Sequence, residues 1–251
     1  MNRPRVVASI EARMGSSRLP GKVLADVNGQ PVLWRLVERL RQCHELDDIV
    51  VATSTSGSDD VLAEWCERNG VACFRGSEND VLERVVSAQR FMHSDVVVEI
   101  TGDCPLTDPE IVDLGVQTFL AHRGRVDVVS NCGNTLTWPM GQYVQVFPLA
   151  LLEEVCVSID DEAVHEHVSL YFYEHPERYR LIEILAPARW REPEWRMQLD
   201  YPEDLLFQNE VVRRLEPVHG SCFGIEPVMA LLRAEPHLVE INRHCEERAA
   251  R

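Results

Sequence analysis

Val6–Lys22 reads VVASIEARMGSSRLPGK. Val6 to Ile10 is an apolar run of strand length, as expected of a strand buried on both faces. Ala12 to Lys22 then places three cations, Arg13, Arg18 and Lys22, on a short loop softened by Gly15, Ser16, Ser17 and Gly21 and stiffened at its exit by Pro20. A buried strand running into a glycine- and serine-rich loop leaves backbone N–H groups free. Cationic side chains at intervals can then enclose a polyphosphate from several sides. Arginine and lysine on a loop are commonly just solvated. Three cations within ten residues, spaced by small residues and placed after the first strand, make phosphate the first ligand to consider. The loop is not of the Walker type, because Gly15 stands six positions before Gly21 and Val23 follows Lys22, and it is not the dinucleotide GxGxxG either.

Downstream, strands and helices alternate. Pro31 suits the first turn of a helix that runs to about Gln42 with Leu33, Trp34, Leu36, Val37 and Leu40 as its apolar stripe. Asp48 to Thr53 reads as a strand, Ser58 or Asp59 caps a helix through Asn69, and Gly70 ends it. Val71 to Phe74 is a short strand. Ser77 with Asp80 resembles a capping box before a helix over Val81 to Met92. Val96 to Ile100, a helix from Pro109 to about His122, and Asp127 to Ser130 continue the series. Such alternation predicts an α/β fold, a mainly parallel sheet with helices on both faces, whose ligands sit at the carboxyl ends of the strands.

From Asn131 the pattern changes. Pro139 to Phe147 alternates like an exposed strand, Leu149 to Val157 is helical, and Asp161 to Glu174 reads as one helix carrying His165, Glu166 and His167. Leu181 to Leu185 and Trp195 to Leu199 read as further strands, and a helix from about Glu203 to Leu215 precedes a turn and a helical tail. The expected organisation is a single domain over 1–251, with an insertion or dimerisation arm at about 133–185 and a C-terminal helical portion at about 201–251.

The chain has 251 residues and a formal net charge of −16, which argues against nucleic-acid binding and requires any phosphate site to be local. Its eight cysteines contain no CxxC pair and no framework spacing, so reduced thiols in a cytoplasmic protein are expected. No secretory leader pattern or membrane-spanning apolar run is seen. His165 and His167 lie at i and i+2 of a helical pattern and so do not share a face for zinc. Cys104 has no base in its vicinity in the sequence and reads as a buried filler.

Asp103 follows Gly102 at a strand end, and Asp200 follows the strand-like WRMQL before a helix. Two strand-end carboxylates beside a polyphosphate loop suit Mg²⁺, which prefers one or two carboxylates together with phosphate oxygens and water. An aspartate before a helix is also an ordinary cap, so spacing leaves both roles open.

ARMGSSRLPGK, VATSTSGSDD, FRGSENDVLERV, ITGDCPL and LDYPEDL, in that order, resemble the cytidylyltransferase family that includes spore coat polysaccharide biosynthesis proteins of the F type and enzymes making CMP-ketodeoxyoctonate and CMP-sialic-type sugars. The resemblance implies a Rossmann-like nucleotide-diphosphosugar-transferase fold, a homodimer joined through the middle arm, and a Mg²⁺-dependent transfer of CMP from CTP to an acidic sugar or similar anionic acceptor with release of pyrophosphate. Carried over by position, it places Arg13, Arg18 and Lys22 around the triphosphate, with Gly15 and Ser16 in the same nucleotide loop, Ala12 and Met14 near the cytosine, and Arg84 near the nucleotide. Asp103 and Asp200 become metal ligands, and Arg13, Lys22 and Asp103 the catalytic set. Glu166 and His167 match an EHV element on the acceptor side or at a dimer contact.

The chain departs from the family at Met140–Phe147, MGQYVQVF, where relatives commonly read DGxDVEVF. Acids expected at 143 and 145 are replaced by Tyr143 and Gln145, with Gln142 beside them. In the family that strand faces the acceptor, so the resemblance implies that these three residues join the acceptor side, and an altered acceptor, such as a phosphonate, is one reading. Glu11 also replaces a common glutamine. Other readings are a sugar-1-phosphate nucleotidyltransferase using another nucleotide, since the fold hosts these too, and a silent partner protein. The intact cations and both aspartates favour catalysis.

Overall fold

The computed structural model describes residues 3–246. The first strand, β1 (Val6–Glu11), buries Val6, Ala8 and Ile10 in one core and Val7 in another, so its alternate side chains hold layers on both faces of the sheet. The phosphate-type loop follows and leads through a two-stranded ribbon, β2 (Asp26–Val27) and β3 (Gln30–Pro31), into α1 (Val32–Leu40). Then come β4 (Asp48–Ser54), α2 (Asp60–Asn69), β5 (Ala72–Gly76), α3 (Val81–Phe91), β6 (Val96–Thr101), α4 (Pro109–Ala121) and β7 (Val128–Ser130). The remainder is β8 (Gln145–Pro148), α5 (Leu149–Ser158), α6 (Glu162–Glu166), α7 (Leu170–Glu174), β9 (Leu181–Glu183), α8 (Pro202–His219) and α9 (Ile225–Ala234).

The main sheet has seven strands in the order β5-β4-β1-β6-β8-β7-β9. β5, β4, β1 and β6 are parallel neighbours, and β8 alone runs antiparallel to both of its neighbours. The chain leaves β1 toward β4 and β5, then returns to place β6 on the other side of β1. The loops after β1 and β6 therefore diverge from adjacent strand ends, the crevice where open α/β sheets bind ligands. Gly102, just past β6, makes this close approach possible: its N–H donates to the Glu11 carbonyl at 2.9 Å, and a Cβ there would lie 2.6 Å from the same oxygen.

The middle of the chain differs from the exposed strand and single long helix expected there. Pro139–Phe147 contributes only β8, and this strand is not exposed: it is inserted between β6 and β7 with Val146 and Phe147 fully buried. Its alternation of polar and apolar residues reflects two different buried layers rather than a wet face. α5, α6 and α7 supply Leu152, Val164 and Phe172 to a core shared with Val85 of α3, so the 133–185 segment builds part of the main body. Asp161 to Glu174 is two short helices broken at His167–Ser169, where His167 is extended (φ −118°, ψ 92°). Trp195 to Leu199 forms no strand and makes a single bridge, Met140 to Arg196. The cap of α3 is Asp80, which accepts from the Glu83 amide at 2.8 Å, while Ser77 accepts from Asp80 one turn earlier.

The C-terminal helices belong to the same core as β1: Phe207, Val211, Val228 and Met229 pack with Ile10, Leu33 and Leu36. Asp108 ties them to the β6 loop, since one oxygen caps α4 through Glu110 N at 2.7 Å and the other accepts from Ile225 N at 2.5 Å. The part of the expected tail at 247–251 lies outside the described residues. No helix among the described residues is long and apolar enough to cross a membrane, and none of the eight cysteines is in a disulfide. Gly102→Ala is expected to destabilise the protein by about 1–3 kcal/mol, because the new methyl meets backbone that cannot give way. A lowered urea midpoint with an unchanged denaturant slope is the expected reading, and an unchanged midpoint would show that the β1–β6 junction relaxes freely.

Candidate active site

The loop after β1 is folded on itself before any ligand arrives. The Gly21 amide donates to the Met14 carbonyl at 2.9 Å, which closes the loop, and Gly21 adopts the left-handed φ of 72° that favours glycine. Ser16 Oγ accepts from Leu19 N at 3.3 Å. Asp59, fully buried, accepts from Met14 N at 2.7 Å and from Ser54 Oγ at 2.5 Å, fastening the loop to the end of β4. The amides of Gly15, Ser17 and Arg18 find no acceptor among the described residues and remain available to an anion.

Three chain segments converge at Lys22. Its Nζ lies 2.5 Å from Asp103 Oδ2 and 2.7 Å from Asp200 Oδ1, so one ammonium bridges carboxylates from the loop after β6 and from the residue pair before α8. Arg18 reaches the same Asp200 oxygen at 2.6 Å, and Arg196 holds the other at 2.8 Å while its Nε binds Asp204 at 2.9 Å. Burial alone would raise the Asp200 carboxyl, but Lys22, Arg18 and Arg196 outweigh it and hold the group below its usual range. Burial works to lower Lys22, yet Asp103 and Asp200 push it above its ordinary value. Three cations thus balance three carboxylates in one contiguous cluster.

Arg13 lies on the other side of the loop, where its guanidinium pairs with Glu166 at 2.9 Å; both side chains are about two-fifths exposed (41% and 39%). Arg84 is buried, donating to the Ala52 carbonyl at 3.3 Å and the Ser77 carbonyl at 2.5 Å, so it braces the strand ends instead of presenting a free charge. Burial lowers its pKa accordingly. Ala12 is buried, Met14 half-buried and His167 exposed.

The acceptor-side expectation divides. Gln142 is removed from it: both ends of its buried amide are consumed within the protein, accepting from Asp108 N at 3.0 Å and donating to Leu106 O at 2.6 Å. Tyr143 is half-buried. Gln145 sits directly opposite Glu99 on β6 and accepts from the Tyr173 hydroxyl, whose oxygen also lies 2.8 Å from the Ser130 hydroxyl. His165 is a structural histidine, between Asp80 at 2.7 Å and the Ile159 carbonyl at 2.8 Å.

Reading by motif missed Asp59, Arg196 and, above all, Glu11 with Glu99. Ser9, Glu99, Gln145, Ser130 and Glu183 stand opposite one another across five strands, a polar rank on one face of the sheet. Glu11 lies on the same face of β1, two residues beyond Ser9. Burial pushes the Glu99 carboxyl up to about 8, against a hydrogen bond from Ser169. Burial also raises Glu11 well above the ordinary range, with Glu99, Asp103 and Glu166 adding to the rise and Arg84 opposing it. The sequence signal available was Glu99 itself, a charge inside the apolar run VVVEI.

The cytidylyltransferase family model matches residues 7–182 of this chain, which carry the phosphate-type loop, both β6 and its aspartate, and the altered β8. The chain belongs to the cytidylyltransferase family. It is accordingly a CTP-dependent nucleotidyltransferase. It is 38% identical over 200 residues to the spore coat polysaccharide biosynthesis protein SpsF of Bacillus subtilis, covering 78% of this chain and 81% of that protein. It is 31% identical over 205 residues to the 3-deoxy-manno-octulosonate cytidylyltransferase of Trichlorobacter lovleyi, covering 72% and 79%. A solved cytidylyltransferase from Leptospira borgpetersenii superposes with a TM-score of 0.89 at 29% identity, over 98% of this chain and all of the other.

The raised Glu99 pKa makes this cytidylyltransferase's stability depend on pH. Between the ordinary 4.5 and about 8, the folded protein keeps a proton that the unfolded chain has shed. The stabilisation is full below the unfolded value and is lost as pH rises through the folded one. Thermal unfolding of Glu99→Gln is therefore expected to fall less steeply than wild type across this window; parallel profiles would show that Glu99 carries no such proton.

Proposed function

We propose that this cytidylyltransferase transfers CMP from CTP to an acidic acceptor, with release of pyrophosphate and the aid of Mg²⁺. The observation that carries this reading is the meeting of Lys22, Asp103 and Asp200 within 2.7 Å, beside Arg18 and below a loop with unspent amides. The acid character of the acceptor follows the octulosonate named for the relative from Trichlorobacter lovleyi.

Charge balance supports a metal here. The Lys22 ammonium already occupies a position between two carboxylates, so the oxygen pair suits a hard cation. A triphosphate entering the loop would compete for Lys22 and Arg18, leaving Asp103 without its cation and Asp200 with Arg196 as its remaining one. These two aspartates would hold Mg²⁺, which supplies charge neutralisation at the reacting phosphate.

The chain's own residues account for the rest. Gly15, Ser17 and Arg18 offer amides to phosphate oxygens, and Arg13, Arg18 and Lys22 neutralise the triphosphate and retain the departing pyrophosphate. The acceptor oxygen attacks the α-phosphorus in line, so no protein nucleophile is required. Cys104 is unsuited to that role, being buried with its thiol raised well above the ordinary value by burial.

Titration calorimetry with CTP, UTP, GTP and ATP, each with Mg²⁺, is expected to show selective CTP binding, weakened by Asp103→Asn. Preference for another nucleotide would overturn the CTP assignment. With saturating CTP, Lys22→Ala and Asp103→Asn are each expected to lower turnover by about 10²–10³ or more. Wild-type turnover in either variant would remove that residue from the catalytic set. Chelation should abolish turnover and added Mg²⁺ should restore it; activity persisting in chelator would refute the metal.

A further inference from the structure

Glu203, His244 and Cys245 converge at the start of α8, apart from the residues that face the triphosphate loop. A carboxylate oxygen, an imidazole nitrogen and the sulfur all lie within 4.8 Å of one another, and Glu203 Oε1 stands 3.9 Å from His244 Nε2. No hydrogen bond among the described residues consumes any of the three groups. An exposed Glu–His pair alone marks nothing, since such pairs are common on surfaces. Here a half-buried thiol joins the pair, and the frame that brings the three together is bonded on both sides of them.

Glu203 belongs to the first turn of α8. Asn242, 1% exposed, donates from its amide to Asp204 Oδ1 at 2.8 Å and to the Arg196 carbonyl at 3.1 Å. The Cys245 amide closes a turn on the Asn242 carbonyl at 3.0 Å, and the Tyr201 hydroxyl donates to the Glu246 carbonyl at 3.2 Å. His244 and Cys245 are therefore held between two anchors, Asn242 and Glu246, both fastened to the 196–204 stretch.

The donor set selects the ion. Mg²⁺ and Ca²⁺ take oxygen ligands, whereas one oxygen, one nitrogen and one sulfur suit Zn²⁺, with water in the fourth tetrahedral position. At ordinary zinc bond lengths such donors stand about 3.3–3.6 Å apart, so the trio closes by at most about 1–1.5 Å, within the reach of side-chain rotation.

We propose that Glu203, His244 and Cys245 bind one Zn²⁺ ion. On binding, the Cys245 thiol passes its proton to solvent, and the ion takes a thiolate, a neutral imidazole and a carboxylate. The ion ties the C-terminal segment to the turn that carries Asp200: it keeps Asn242 on Asp204, and Asp204 shares Arg196 with Asp200. Neither Asp103 nor Asp200 belongs to this site, so it stands or falls independently of the CMP-transfer reading.

The full chain, reduced and stripped with chelator, is titrated with Zn²⁺ by calorimetry and with Co²⁺ by absorbance. One Zn²⁺ is expected to bind with Kd of about 1 µM or tighter, and Co²⁺ to give thiolate-to-metal charge-transfer absorption. Cys245→Ser is expected to lose that absorption, and Cys245→Ser and His244→Ala each to weaken Zn²⁺ by about tenfold or more, while Asp103→Asn leaves both readouts unchanged. Zn²⁺ is also expected to raise the Tm of wild type and not that of His244→Ala. Absence of the thiolate absorption in wild type, or absorption and affinity retained in both Cys245→Ser and His244→Ala, overturns the proposal, the second result meaning an adventitious ion only. The wild-type titrations need no variant to fold, and circular dichroism checks those that are made.

Discussion

The ammonium of Lys22 holds carboxylates that lie 81 and 178 residues away from it in sequence, and the shape of the candidate active site depends on that junction. It locks the loop after β1 to the loop after β6 and to the turn before α8. Without it, Asp103 would lack a bonded cation and Asp200 would keep only Arg18 and Arg196. In a partly buried place this matters more than on the surface, because an uncompensated carboxylate there costs several kcal/mol, on the order of 3–5. The sheet order makes the junction possible by bringing the ends of β1 and β6 side by side. Asp59 and Asp108 support it from either flank, one holding the loop at Met14 and the other tying α9 to the β6 loop.

Much of this was legible in the residues because local signals and tertiary environment agreed. The apolar runs at Val6, Asp48 and Val96 became parallel strands; of the cations in ARMGSSRLPGK, Lys22 meets Asp103 and Asp200 and Arg18 meets Asp200, while Arg13 pairs with Glu166. Legibility failed where a pattern had two physical origins. The alternation in Pro139–Phe147 suited an exposed strand as well as one packed between two unlike layers, and only pairing with β6 and β7 decides between them. Trp195–Leu199 has strand-like residues but finds no neighbouring edge beyond one bridge, so propensity had nothing to propagate it. Gln142 was placed with the ligand because it is polar in an altered motif; its amide instead satisfies backbone groups of the 106–108 turn, a role invisible without the contact.

The described core is consistent at nearly every level, which makes its exceptions informative. A carboxyl such as Glu99 inside an apolar strand works against folding, and the mutually raised Glu11 compounds the cost. Neither serves the triphosphate loop's geometry: that loop is closed by Met14, Gly21 and Asp59 without them. Charges are matched around Lys22, whereas the acids buried along β1 and β6 have no ion-pair partner among the described residues.

The Arg13–Glu166 pair ties the loop after β1 to α6. A triphosphate carries more negative charge than one carboxylate and would draw Arg13 away from α6, releasing Glu166 as the nucleotide settles. The short helix bearing Glu166 ends at the break that leads to Ser169, which bonds Glu99. A single guanidinium shared in this way makes the pairing of α6 depend on the charge held by the loop after β1.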